Sequence, residues 1–238
     1  MMKPVSAALI AAILCAGPAL AKPKKKKAEP VEIVTADWRK TATASDQDRL
    51  RDWRSAFIKA LDKARLAGNS ESIAREGRLL EPDAALEAAA PPAGQYRCRV
   101  IKLGAQNPRM ADYVVYPVYN CSISDEGGVM GFAKAQGIQR PIGLFFPGDS
   151  RRMIFLGTMM LGDETRAMEY GRDSTRDMAG AFERIGEKRW RLILPKPRFE
   201  SMMDVIEIVP ISDQRSAIAH GVARTGFVRF QAASPSPS

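Results

Sequence analysis

The chain has 238 residues, 45% of them hydrophobic and 26% charged, with a formal net charge of +9 at pH 7. That length supports one sizeable domain. Five of the positive charges are bunched in Lys22 and Lys24 to Lys27, so the body of the chain is only mildly basic and lacks the basic face a nucleic-acid binder needs.

Met1-Met2-Lys3 is a short positive start, and Val5 to Ala21 is uncharged and rich in Ala, Leu and Ile. Ala19-Leu20-Ala21 is a small-x-small cleavage site, which predicts a secretory signal peptide over residues 1–21, cut after Ala21, and a periplasmic protein. The apolar stretch is short and Ala-rich for a membrane span. Cys15 has Leu14 directly before it and Ala12 three before it, which is not a lipidation signal. Residues 22–44 read as a basic disordered linker. The segment Lys22–Lys27 is expected to be a solvated tether. The alternative is a weak contact with anionic surfaces, at about 1 kcal/mol per charge.

The first folded element is expected near Ser45, where Ser45 and Asp48 stand at capping-box spacing. Leu50, Trp53, Phe57, Leu61 and Ala64 recur every three or four residues and form one apolar helical stripe, with Trp53 and Phe57 facing inward. Gly68 is a stop signal. A second helix is expected over 70–80, and Pro82 with the Ala-rich stretch after it reads as a possible further helical start.

From Gln95 the character changes to short Val-, Ile-, Tyr- and Phe-rich stretches separated by Gly, Pro, Asn and Asp. Strands are predicted at 95–103, 113–123, 129–135, 140–146, 152–158, 179–186, 189–194 and 203–209. Turns fall at Asp125 to Gly128, Gly148-Asp149 and Gly186 to Lys188. Strands at this density predict an antiparallel meander, and closure removes edges that would otherwise aggregate. Cys98 and Cys121 are the two cysteines beyond the leader, and in an oxidising compartment they are expected to form a disulfide between neighbouring strands. Residues 211–238 read as a partly disordered tail, with a stray strand-like stretch at Gly226 to Phe230 and a Pro/Ser end.

No catalytic or metal-ligating residue is nominated, and no cofactor is expected. His220, the one histidine, lies in the tail, no GxSxG elbow accompanies a serine, and there is neither GxGxxG nor P-loop. The pairs Met159-Met160 and Met202-Met203 lack the spacing of a copper site and are read as core. Trp38, Trp53 and Trp190 are read as packing anchors. The densest polar stretch is Tyr170 to Asp177. If the protein has a specific ligand site, Arg172, Asp173, Arg176 and Asp177, with Arg140, are the candidates, because loops carry function on β scaffolds. The competing reading is a salt-bridged loop that clamps itself to the sheet.

An ordered set of motifs runs through the chain: Asp48-Arg49-Leu50 with Trp53, Gly94 to Arg99, Lys102-Leu103-Gly104, Phe155-Leu156-Gly157, Tyr170-Gly171, Arg176-Asp177, Glu183 to Gly186, Arg189 to Leu192, and Asp204-Val205. Over residues 36–210 this set resembles an uncharacterised family of exported bacterial proteins, the domain of unknown function 4893. The resemblance implies export and a single domain, and implies no chemistry.

The expected architecture is α+β: one or two N-terminal helices packed on an antiparallel meander that forms a small closed or partly open β-barrel, as a single domain over 45–210. The expected role is non-enzymatic binding of a ligand or protein in the cell envelope. Alternatives are a carboxylate-based carbohydrate or peptidoglycan hydrolase and an inhibitor of a periplasmic hydrolase. An enclosed apolar cavity favours small-ligand binding, carboxylates paired across a groove favour the hydrolase, and a protruding loop with neither favours the inhibitor.

Overall fold

The computed structural model describes residues 36–211. The expected leader, the lysine segment, His220 and the tail strand lie outside the described residues.

Four helices come first: α1 (Trp38–Thr41), α2 (Ala44–Arg51), α3 (Trp53–Ala64) and α4 (Ser70–Glu76). The helical region therefore begins ahead of Ser45. The cap of α2 is Thr43, whose hydroxyl accepts a hydrogen bond from the Asp46 backbone at 3.2 Å. Thr43 is extended and directly precedes the first turn, so Ser45 falls inside the helix and does not cap it. The chain kinks across Arg65–Asn69, where Gly68 takes φ 87°, a left-handed conformation that glycine adopts without steric cost.

The Ala-rich stretch after Pro82 is not helical. Leu86 makes one isolated bridge with Arg184, and Arg184 donates to the carbonyls of Glu87 and Ala88. Trp190 Nε1 donates to the Ala89 carbonyl at 3.0 Å. Bonds from the barrel thus take the carbonyls a helix would have used, which overrides local propensity.

Eight strands follow: β1 (Gly94–Ala105), β2 (Tyr113–Asp125), β3 (Met130–Lys134), β4 (Gln139–Pro147), β5 (Arg152–Leu161), β6 (Asp177–Gly186), β7 (Arg189–Pro195) and β8 (Ser201–Pro210). Each pairs antiparallel with the next, and β1 pairs with β8, so the sheet closes into a barrel. Gly143 and Gly157 face each other across β4 and β5, where a Cβ on either would lie within 2.3 Å of a carbonyl oxygen of the other strand. The wall can bend that tightly only without side chains there. Cys98 and Cys121 form the expected disulfide between β1 and β2, with Cα atoms 6.0 Å apart.

Inward-facing residues form layers. At one end Tyr96 and Trp190 meet edge to face at 6.2 Å and plug the barrel. Phe132, Phe145, Phe155 and Phe182 fill the middle, and Phe145 stacks on Phe182 at 4.2 Å. The outer face of β1, β7 and β8 is also buried. Ile101, Leu103, Ile193, Met203 and Val205 pack under Phe57, Leu61 and Ala64 of α3. Trp53 is only half-buried, with the Arg152 guanidinium 4.9 Å over its ring. Leu50 of α2 packs with Phe146, Leu156 and Ala179 on the outer face of β4 to β6.

Arg191 on β7 joins the two regions. Its side chain is fully buried. It holds Glu183 at 2.6 Å and donates to the carbonyls of Arg78, Leu79, Glu81 and Pro82, so the chain after α4 is tied to the barrel wall. Glu183 also accepts from Arg152 at 2.6 Å. Breaking such a pair leaves buried charge and unsatisfied carbonyls. Arg191→Met is expected to lower unfolding stability by roughly 3–5 kcal/mol in urea titration, and Arg191→Lys to recover only part of it, because an ammonium cannot reproduce the guanidinium fork. A loss indistinguishable from that of a surface substitution would contradict this role.

Candidate functional site

The interior is not filled along its whole length. At the end carrying the β1–β2, β3–β4, β5–β6 and β7–β8 turns, a cavity of about 220 Å³ remains. Its walls are Val100, Pro141, Met159, Met178, Leu194 and Ile206. Its rim carries Lys102, Tyr116, Tyr119, Lys134, Gln139, Glu200 and Asp204. Ile138, also at the rim, is 77% exposed, so this end meets solvent.

The rim is set by strand alternation. Lys102 continues the inward series Tyr96, Cys98, Val100 on β1, Lys134 continues Met130 and Phe132 on β3, and Asp204 opens the series to Ile206 and Ile208 on β8. Lys102 and Asp204 face each other in register and meet at 2.9 Å. Ser201 Oγ donates to the same carboxylate. Burial raises the Asp204 carboxyl above the usual carboxylate range against the pull of Lys102. Burial opposes the charge on Lys102, but Asp204 and Glu200 outweigh it and raise that ammonium.

Glu200 stands in the β7–β8 turn with φ 72°, a left-handed conformation that strains a residue bearing a Cβ. Gln106 holds it there: its backbone donates to the Glu200 carbonyl at 2.8 Å, and its amide donates to the carbonyls of Pro197 and Ser201. Glu200 Oε2 lies 3.3 Å from Lys102 Nζ without a well-aligned hydrogen bond. Burial, then Glu200, raises the Tyr116 phenol.

Lys134 differs from Lys102. It is buried, it donates to the carbonyls of Gln136 and Gln139, and its Nζ sits 4.0 Å over the Tyr119 ring. Among the described residues no carboxylate comes within ion-pair distance of it. Burial pushes its ammonium down to about 8, and the cations Arg140 and Lys102 push the same way. Glu200 and Asp204 share Lys102 on one side of the mouth, so they do not face each other across a groove as two glycosidase carboxylates do. Among the described residues no three His, Cys, Asp or Glu side chains converge to ligate a metal ion. The arrangement suits holding a compact ligand with an apolar body and a polar head.

The polar residues singled out from the sequence lie at or near this same end. Arg140 donates to the carbonyls of Gly162 and Glu164. Arg176 pairs with Glu164 at 2.5 Å and Asp173 at 3.5 Å, and Asp173 accepts from Thr175. Arg140, Asp173 and Arg176 are thus gathered around Glu164 in the β5–β6 loop. Arg172 stands apart, exposed, 3.2 Å from Glu169. Asp177 is buried below α2, accepting from the Gly171 backbone while Arg49 donates to its carbonyl. Thr175, Arg176 and Asp177 border a narrow recess that shares Lys102, Gln139, Met159, Met178 and Asp204 with the cavity.

Sequence reasoning did not select Lys102, Lys134, Glu200 or Asp204. The available signal was a charged residue at an inward-facing position of an otherwise apolar alternation. Lys102 and Asp204 both stand inside the motifs quoted above.

The family model described as Domain of unknown function (DUF4893) matches residues 38–208. The chain belongs to that family. The matched span takes in all four helices and almost the whole barrel. No curated protein and no solved structure matches the chain.

A lysine held near 8 in the fold and near 10.5 when unfolded binds fewer protons folded than unfolded between those values, so its contribution to stability rises with pH across that window. The stability of the native protein relative to Lys134→Gln is therefore expected to increase from pH 8 to pH 10.5, measured by paired urea titrations. A constant difference would show that Lys134 is not a buried charge under strain.

Proposed function

We propose that this protein is exported to the periplasm and that its barrel binds a small ligand with an apolar body, without turning it over. The observation that carries this reading is the 220 Å³ cavity at one end of a barrel that is otherwise filled with aromatic side chains. Protein interiors are close-packed, and a persistent apolar hollow with a few polar groups at its mouth is the form ligand sites take. Binding is favoured over turnover because both rim carboxylates are engaged by one lysine.

Export is supported by the leader-like residues 1–21 and by the Cys98–Cys121 bond, which suits an oxidising compartment. The distribution of side chains supports a water-borne barrel. The interior is apolar, while the outer face carries Arg99, Arg152, Arg189 and Glu207, all partly exposed and in ion pairs. A barrel in lipid presents an apolar band outward.

Two experiments test this reading. Titration with the uncharged fluorophore N-phenyl-1-naphthylamine is expected to saturate at one site per chain. Val100→Phe, which fills the cavity from an incompletely buried position, is expected to weaken binding about tenfold or more with the unfolding midpoint little changed. Equal affinity in the variant would move binding away from the barrel. Protein recovered from the periplasm is expected to begin at Lys22, read by intact mass. A retained leader, or a diacylglycerol on Cys15, would contradict the export assignment.

A further inference from the structure

We propose that the head of the ligand is an oxyanion, of the carboxylate class, received at the barrel mouth by the ammonium of Lys134. This rests on the reading of the barrel as a binding protein and adds the charge of what it binds. Two lysines reach the cavity, and the structure treats them differently. Lys102 has two carboxylates, Asp204 at 2.9 Å and Glu200 at 3.3 Å. Lys134 is 6% exposed, yet its contacts are two main-chain carbonyls and the face of Tyr119. An ammonium has three N–H donors, and among the described residues only two acceptors are supplied, both neutral.

A buried charge without a counter-ion is costly. The other charged groups around this mouth do not remove that cost. Arg140, on β4, adds positive charge and is itself committed to the carbonyls of Gly162 and Glu164. Asp204 and Glu200 lie on the β8 side and are occupied by Lys102. Burial and Glu200 raise the Tyr116 phenol, and Tyr119 offers only its ring face. The β3–β4 hairpin also closes tightly over Lys134. Gly137, with φ 91°, sits where a Cβ would be 2.8 Å from Nζ and 3.5 Å from the Tyr119 ring. A carboxylate entering the cavity would meet the free donor and supply the missing charge, while its hydrocarbon lay against Met159, Met178 and Leu194.

The test uses the full mature protein and two probes that differ only in the head, octanoate and octanamide, in calorimetric titrations. At about pH 6.5 octanoate is expected to bind about tenfold tighter than octanamide or more. The preference should shrink towards parity at about pH 9.5, because the lysine loses its proton while a carboxylate stays ionised across that range. Lys134→Gln should lose the preference, binding octanoate no more tightly than octanamide. The pH arm needs no variant and stands if Lys134→Gln does not fold. Equal, pH-independent binding of both probes, weakened alike by Val100→Phe, would overturn the oxyanion and leave the binding reading intact, with Lys134 a tether for its hairpin. Binding of neither probe, or binding unaffected by Val100→Phe, would overturn both.

Discussion

A sheet that closes on itself must fill the space it encloses, and that space can be reached only by every second residue of each strand. Here β1 meets β8, and the interior is divided along its axis. Tyr96 and Trp190 occupy one end and four phenylalanines the middle. At the other end the alternate positions hold residues such as Lys102, Lys134 and Asp204, whose buried charged tips pair with one another or with main-chain carbonyls and do not pack across the axis. The cavity follows from that change of residue type. Gly143 and Gly157 let the wall bend enough to close around it.

The outer face obeys a second constraint. Strands β1, β7 and β8 are covered by α3, so they are apolar on both faces over part of their length, as Leu192-Ile193-Leu194 and Val205-Ile206 show. Where the cover is main chain and not apolar helix, Arg191 and Arg184 satisfy its carbonyls. These contacts explain why 83–89 is not helical despite its alanines. They also separate the roles of the charged residues: those on the outer wall fasten segments together, while those on the rim border the open cavity.

The loop between β5 and β6 connects the two roles. Its Arg176 pairs with Glu164, and Arg140 of β4 donates to the loop carbonyls of Gly162 and Glu164, which holds the loop at the barrel end. Through Thr175 and Arg176 it borders the recess beside Lys102 and Asp204. A polar loop held by its own ion pairs can shape a mouth without lining the cavity behind it. Lys134 also donates to neighbouring carbonyls, but among the described residues no carboxylate pairs with it.

The sequence by itself determined the strand order, the helical stripe from Phe57 to Ala64, the cysteine pair and the turns at Gly127, Gly148 and Gly186, whereas Leu50, expected on the same stripe, falls on α2 and packs over β4 to β6. Each is written in local periodicity, turn chemistry or a count of two. Alternation also marks which face of each strand is apolar. Alternation does not reveal that Lys102 and Asp204 come together, because they are 102 positions apart and meet only when β1 pairs with β8. Nor does it distinguish Lys134, with its neutral partners, from any other lysine near a strand end. Closure and register decided those matters, because burial and the identity of a charge's neighbours are properties of the assembled barrel and not of any segment within it.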